Sequence, residues 1–256
     1  METIKVEANG PVARVTLSRP EVKNAFNEVV IAELREAFTT LPDAVRVVVL
    51  TGAGDVFCAG ADVNWMKKSK GYTEEQNAAD ARAMSMMFRA IDECPKAVVG
   101  RINGVALGGG TGLTAVCDIA VSVDTAQFGF TEARLGIVPA VISTYVLPKI
   151  GEAMARRYFL TGERFGAMDA IAMGLVHEVV KAETLDARVE EMVKAVLACG
   201  PAAVATAKKL LHDERSMTRD QRIDYTVGTI ARVRVTPEAQ EGLGAFLEKR
   251  KPSWGP

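Results

Sequence analysis

Residues 97–112 read AVVGRINGVALGGGTG: an apolar, strand-like run from Ala97 to Ile102 feeds directly into a stretch holding Gly104, Gly108, Gly109, Gly110 and Gly112. A strand followed by glycines that open a short helix leaves backbone N–H groups uncovered at the positive end of the helix dipole, a setting suited to a phosphate or an oxyanion. Two chemistries fit. Gly110-Thr-Gly-Leu-Thr-Ala115 loosely matches the GxGxx(G/A) dinucleotide fingerprint, and Glu132 stands about 20 residues on, where an acidic ribose ligand belongs. That crossover needs a full helix after its glycines, yet here Asp118 and the next strand, Ile119 to Val123, arrive about six residues after Gly112; no GK[ST] follows either, so the P-loop pattern fails. A nicotinamide-dependent oxidoreductase is kept as the outside alternative.

Working outward, residues 3–8 and 12–17 alternate as two short strands around an Asn9-Gly10 hairpin signal. Val30, Ile31, Leu34, Phe38 and Leu41 then recur at helical spacing up to Pro42. Val45 to Leu50 is a continuous apolar strand of the kind covered on both faces, closed by Thr51-Gly-Ala-Gly54. Thr73 and Gln76 have capping-box spacing ahead of a helix whose stripe is Ala81, Met84, Phe88 and Ile91, ending before Pro95. Beyond residue 150 the pattern turns helical, with stretches at about 151–160, 166–174, 183–198, 201–213, 217–233 and 237–250; Pro201 and Pro237 sit where a first helical turn tolerates proline. The expectation is an α/β core followed by a helical tail that packs on the core or on a neighbouring subunit.

The chain has 256 residues, 48% hydrophobic, 25% charged and 6% aromatic, which excludes disorder and collagen. Its net charge of −1 supplies no global field for nucleic acid or anionic lipid, so an anionic ligand must be held locally. The N-terminus lacks a basic stretch followed by an apolar one, and no apolar run reaches the ~18 residues of a membrane span, so neither a signal peptide nor a membrane partner is expected. Cys58, Cys94, Cys117 and Cys199 show no CxxC spacing, and His177 and His212 are the only histidines; we expect reduced thiols, a cytoplasmic protein and no metal.

Other segments could carry chemistry. Phe57-Cys-Ala-Gly-Ala-Asp-Val63 puts small residues after a buried strand, either as a tight connection or as approachable backbone N–H groups. Glu132 lies among Phe128, Phe130, Leu135 and Ile137, where desolvation would raise its pKa towards proton transfer at neutral pH; the plainer reading is a helix-start carboxylate. His177 lacks the second histidine of a HExxH helix, His212 lies on a lysine-rich helix, and Ser143 has neither a GxSxG elbow nor an evident histidine partner.

Taken in order, Ser18-Arg-Pro20 through Asn24-Ala-Phe26, Phe57 to Asp62, Asn103 to Gly110 with Cys117-Asp-Ile119, Phe128-Gly129 through Glu132, and the ending Phe246 to Lys251 resemble the crotonase superfamily, the enoyl-CoA hydratase/isomerase family, across almost the whole chain. The resemblance implies a spiral of ββα units over residues 1–195 and a helical region over 196–256 used for homotrimer assembly, often as a dimer of trimers. It implies an acyl-CoA substrate that carries its own coenzyme A, with no separate cofactor. Motif position maps the pair of backbone N–H donors that hold the thioester oxygen to Ala61 and Gly109, and the acid/base to Glu132. Gly108 and Gly112 belong to the same glycine turn. Ala59, Asp62 and Val63 are expected along the adenine end, with Val22 and Lys23 nearby, and Phe246 and Lys249 reaching coenzyme A from the same or an adjacent subunit.

One departure is informative. Family hydratases carry two glutamates, and the first of these positions falls here on Gly112. Loss of one positioned acid/base group typically costs about 10²–10⁴ in rate. The glycine-rich stretch the family usually has further on is replaced by Ala140-Val-Ile-Ser-Thr-Tyr145, whose Ser143, Thr144 or Tyr145 could position a water or merely pack a helix start. The expected activity is hydration of a short or branched 2-enoyl-CoA. The alternatives are 3-enoyl to 2-enoyl isomerisation on the single carboxylate, or a catalytically weak CoA-thioester-binding member.

Overall fold

Long strands and short strands alternate along the chain, and that alternation builds the architecture of this computed structural model, which describes residues 1–255. A hairpin of β1 (Ile4–Asn9) and β2 (Val12–Leu17) leads to helix α1 (Glu28–Thr39). Three passes follow: β3 (Val47–Gly52), β4 (Val56–Cys58), α2 (Val63–Ser69) and α3 (Glu74–Asp92); then β5 (Ala97–Ile102), β6 (Val105–Leu107) and α4 (Gly109–Val116); then β7 (Ile119–Val123), β8 (Gln127–Gly129), a 3-10 turn at Glu132–Leu135 and α5 (Ala140–Thr161). The core closes with β9 (Arg164–Gly166), α6 (Ala167–Ala172), β10 (Glu178–Val180) and α7 (Leu185–Leu197), and α8 (Pro201–Asp213), α9 (Arg219–Arg234) and α10 (Pro237–Leu247) follow.

One sheet runs in the order β1-β2-β3-β5-β7-β10, its strands long except the three-residue β10, and the other, of short strands, as β4-β6-β8-β9; both are parallel throughout except at β1/β2 and β8/β9. Each pass therefore adds one strand to each sheet, and the result is the ββα spiral that the resemblance implied. Every residue of β3 is buried, as its uninterrupted apolar sequence requires for a strand covered on both faces. The capping box before α3 forms as its spacing predicts: Gln76 N–H donates to Thr73 Oγ1 at 3.2 Å and Thr73 N–H to Gln76 Oε1 at 2.9 Å.

One expectation needs correction: the helix read from 151 starts at Ala140, and Gly151, at φ 70° and ψ 165°, breaks it internally. The strands of the second sheet are three residues long and show no alternation, so no periodicity marks them in the sequence. Residue 195, where the expected core ends, lies within α7. The tail is also tied back to the sheet region: Arg46 donates to Leu197 O at 2.8 Å, Cys199 O at 2.6 Å and Trp254 O at 3.0 Å. Among the described residues no helix is long and apolar enough to cross a membrane.

Candidate active site

The first wall of the site is set by the Arg19–Phe26 loop. Lys23 and Asn24 adopt φ of 57° and 54°, and Asn24 takes the place of missing backbone: its Nδ2 donates to Ala53 O at 2.9 Å and Val56 O at 2.7 Å, while its Oδ1 accepts the Arg19 N–H at 3.0 Å. This holds Phe26 against the segment after β4. Phe26 N–H donates to Gly60 O and Asp62 N–H to Phe26 O, both at 2.7 Å, forming one isolated parallel bridge opposite Ala61. In a parallel bridge the residue flanked by the two bonded partners turns its own N–H the other way. Ala61 therefore presents its N–H on the side away from Phe26.

The second wall is the start of α4. Gly108 has φ 49° and ψ −118°, a backbone only glycine adopts without strain, and a Cβ there would stand 3.2 Å from Glu132 Oε1. The first helical bond is Gly112 N–H to Gly108 O at 3.0 Å, so the N–H of Gly109 has no acceptor within its helix. Ala61, Gly108, Gly109 and Glu132 line one cavity of about 420 Å³. A larger groove, about 820 Å³ between α3, α8 and α9, holds His212 beside Asp92 and Glu93, and none of those four residues lines it.

Glu132 heads the 3-10 turn after β8. Burial pushes its carboxyl above the ordinary carboxylate value, opposed only by its own backbone N–H. Its Oε2 is buried and finds no hydrogen-bond partner among the described residues. A buried acceptor left unsatisfied carries a desolvation cost of about 1–3 kcal/mol or more for a charge, and such costs concentrate where a ligand or a proton is to be met. A raised carboxyl beside two free amides can move a proton next to a developing oxyanion.

Gly112 does not line the cavity. A Cβ there would meet Ile142 Cγ2 at 2.5 Å and Phe88 Cζ at 3.0 Å, so an apolar plug fills the space a side chain at 112 would need. Ser143 Oγ donates to Ala140 O at 2.7 Å, within its own helix, and Tyr145 packs its ring 5.6 Å from Phe88, where burial pushes the phenol up to about 12. Neither these two residues nor Thr144 lines the cavity. Asp62 is buried and works as an anchor: burial opposes ionisation, but the Asn64 N–H at 2.7 Å and the Arg19 guanidinium at 2.8 Å hold its carboxyl below the ordinary value. Ala59 lines the cavity, whereas Val22, Lys23, Asp62, Val63, Phe246 and Lys249 do not. Phe246 is 79% exposed at the end of α10. His177 Nδ1 accepts the Ala120 N–H at 3.0 Å, and burial lowers its pKa, so it serves as a neutral structural acceptor.

The cavity also contains Phe26 and Ile142, from two of the quoted stretches, and residues the sequence did not single out, among them Trp65 and Asp80. Asp80 follows the helical spacing of the Met84–Phe88 stripe on α3, and that i, i+4 relation was the signal available for it.

The enoyl-CoA hydratase/isomerase family model matches residues 7–256. A crotonyl-CoA hydratase of Syntrophomonas wolfei subsp. wolfei is 33% identical, covering 98% of this chain and 96% of its own. Among solved structures, an enoyl-CoA hydratase from Shewanella pealeana superposes with a TM-score of 0.94 at 38% identity, covering 99% of this chain and 96% of that one. Pseudomonas aeruginosa AtuE superposes with a TM-score of 0.96 at 36% identity over 100% of both chains.

Proposed function

Because the chain belongs to the enoyl-CoA hydratase/isomerase family, we propose that it adds water across the 2,3 double bond of a short or branched 2-enoyl-CoA, or removes water to form that bond. The observation that carries this reading is the buried, unpartnered Glu132 Oε2 in the same cavity as Ala61 and Gly109. The thioester oxygen accepts from the Ala61 and Gly109 N–H groups. Glu132 takes a proton from water as the water oxygen bonds to C3, and the π pair of C2=C3 moves through C1 onto the thioester oxygen. The enolate then re-forms the carbonyl while C2 takes the proton back from Glu132. Each donor in a comparable oxyanion hole contributes about 2.7–4 kcal/mol.

A second reading has its own support. Ile142 and Phe88 fill the space beside Gly112, which leaves Glu132 without a partner carboxylate on α4. One base suffices to take a proton from C2 of a 3-enoyl-CoA and return it at C4. Incubation with crotonyl-CoA, followed by loss of the conjugated thioester absorbance, separates the two: turnover supports hydration, and inertness there with turnover of a 3-enoyl-CoA supports isomerisation. Tight binding of acetoacetyl-CoA with neither turnover leaves a CoA-thioester-binding protein.

In the same reading coenzyme A runs past Val22, Lys23, Ala59, Asp62 and Val63. Phe246 and Lys249 contact it from a neighbouring subunit of a homotrimer or a dimer of trimers, an arrangement supported by exposed apolar residues on α9 and α10.

A further inference from the structure

The cavity is chemically graded, and α3 provides the ruler. Phe88 does not itself line the cavity but packs edge-on against Phe26, the ring that closes on Gly109, and so marks the level of the reactive end. Met84 and Asp80 follow towards the helix N-terminus, and eight residues of α-helix separate Asp80 from Phe88 by about 12 Å. Asp80 lines the cavity from α3, about two helical turns away from that end, whereas Glu132 lines it from the turn after β8.

At that far part three polar side chains line the wall, and their donors are spent. Ser69 Oγ donates to Met66 O at 3.1 Å. Asn77 Nδ2 donates to Tyr72 O at 3.3 Å and Thr73 O at 3.1 Å, leaving its Oδ1 as the free end. The Asp80 carboxylate is half-buried beside the Trp65 indole; burial raises its pKa despite the opposing pull of that N–H. Lys68, the cation whose field reaches Asp80, is paired with Glu28 at 2.6 Å, so the two charges largely cancel there. What remains is a wall of acceptors beyond an apolar stretch.

We propose that Asp80, with Asn77 and Ser69, forms a specificity-determining end wall that selects an acyl chain carrying a hydroxyl donor at its distal end and rejects one ending in a carboxylate. This rests on the acyl-CoA reading above. Asp80 and Ser69 are half-buried and Asn77 is exposed, so an analogue lacking the hydroxyl leaves chiefly the half-buried Asp80 carboxylate without that partner.

Binding can be measured without turnover, by calorimetry with matched pairs of saturated acyl-CoA thioesters of increasing length, plain against ω-hydroxy, with an ω-carboxy series alongside. The expected result is a tenfold or greater preference for the ω-hydroxy member at the chain length that reaches Asp80, with the ω-carboxy member weakest. In Asp80→Ala the hydroxy-to-plain ratio falls towards one. Trp65→Phe, which removes the indole donor but not the carboxylate, retains the preference; if it abolishes the preference, Asp80 acts only by orienting Trp65 and the proposal fails. Equal affinity of hydroxy and plain members at every length overturns it, as does a preference that survives Asp80→Ala. If the protein binds no acyl-CoA at all, the acyl-CoA reading itself fails and the end wall with it; if it binds plain and hydroxy chains alike, only the end wall fails.

Discussion

At the scale of single residues, Glu132 shows how function and stability pull apart. Its folded-state pKa is raised, so the native protein holds a proton that the unfolded chain has already released. Stability therefore falls as pH rises from the ordinary carboxylate value of 4.5 through the higher folded one, and the ionised group destabilises the fold at neutral pH. Glu132→Gln is expected to melt higher at pH 7 while its turnover drops at least a hundredfold with CoA affinity retained, as separate melting, kinetic and binding measurements would show. In the wild type, kcat/KM should fall on acidification with a midpoint above 4.5, since the base must be ionised to accept a proton. Gly112 makes the opposite case. A single methyl there collides with Ile142, so Gly112→Ala should cost about 1–3 kcal/mol by overpacking, and adding Ile142→Ala should recover part of that loss. Strictly additive denaturation midpoints for the pair would show that the two side chains do not compete. The sequence exposed the missing carboxylate at 112, but only the packing reveals that an apolar side chain from α5 occupies its space.

At the scale of elements, legibility tracked length and periodicity. β5 and β7 were readable to the residue, and the α3 cap was readable from Thr73 and Gln76, because a mostly buried, mostly apolar run of five or six residues or a fixed three-residue offset carries local information. The three-residue strands of the second sheet carry none; they exist because β4, β6 and β8 follow directly on the long strands and pair with one another in parallel. The same non-local logic fixes α8. Lys208 Nζ lies 2.8 Å from Asp118 Oδ2, which also accepts the Val98 N–H at 2.7 Å, so one carboxylate joins the helix to β5. Hydrogen bonds to charged groups contribute about 1.5–3 kcal/mol each, and Lys208→Met should lower unfolding stability within that range in a denaturant titration. An unchanged midpoint would mean that α8 is held by apolar packing alone.

For the whole molecule, the site is assembled from segments far apart in sequence, at Phe26, Ala61, Gly109, Glu132 and Ile142, and the spiral is what brings them to one cavity. The glycine turn and Glu132 could be flagged locally, but their meeting depends on two parallel sheets advancing in step. The tail follows a related rule. Ile223, Val227 and Ile230 recur at i, i+4 and i+7 on α9 and are about half exposed or more, Val227 by 62%. Apolar residues at that spacing mark a helix face that a partner covers. If copies of the chain cover it, the wild type should elute as a trimer or a multiple of three by light scattering, and Val227→Glu with Ile230→Glu should shift it towards monomer. Because Phe246 and Lys249 are proposed to reach coenzyme A across that contact, the same variant should raise KM for crotonyl-CoA more than it lowers kcat. A monomeric wild type would remove both the interface and the shared coenzyme site, while a trimer whose variant dissociates with KM unchanged would keep the interface and return Phe246 and Lys249 to the surface.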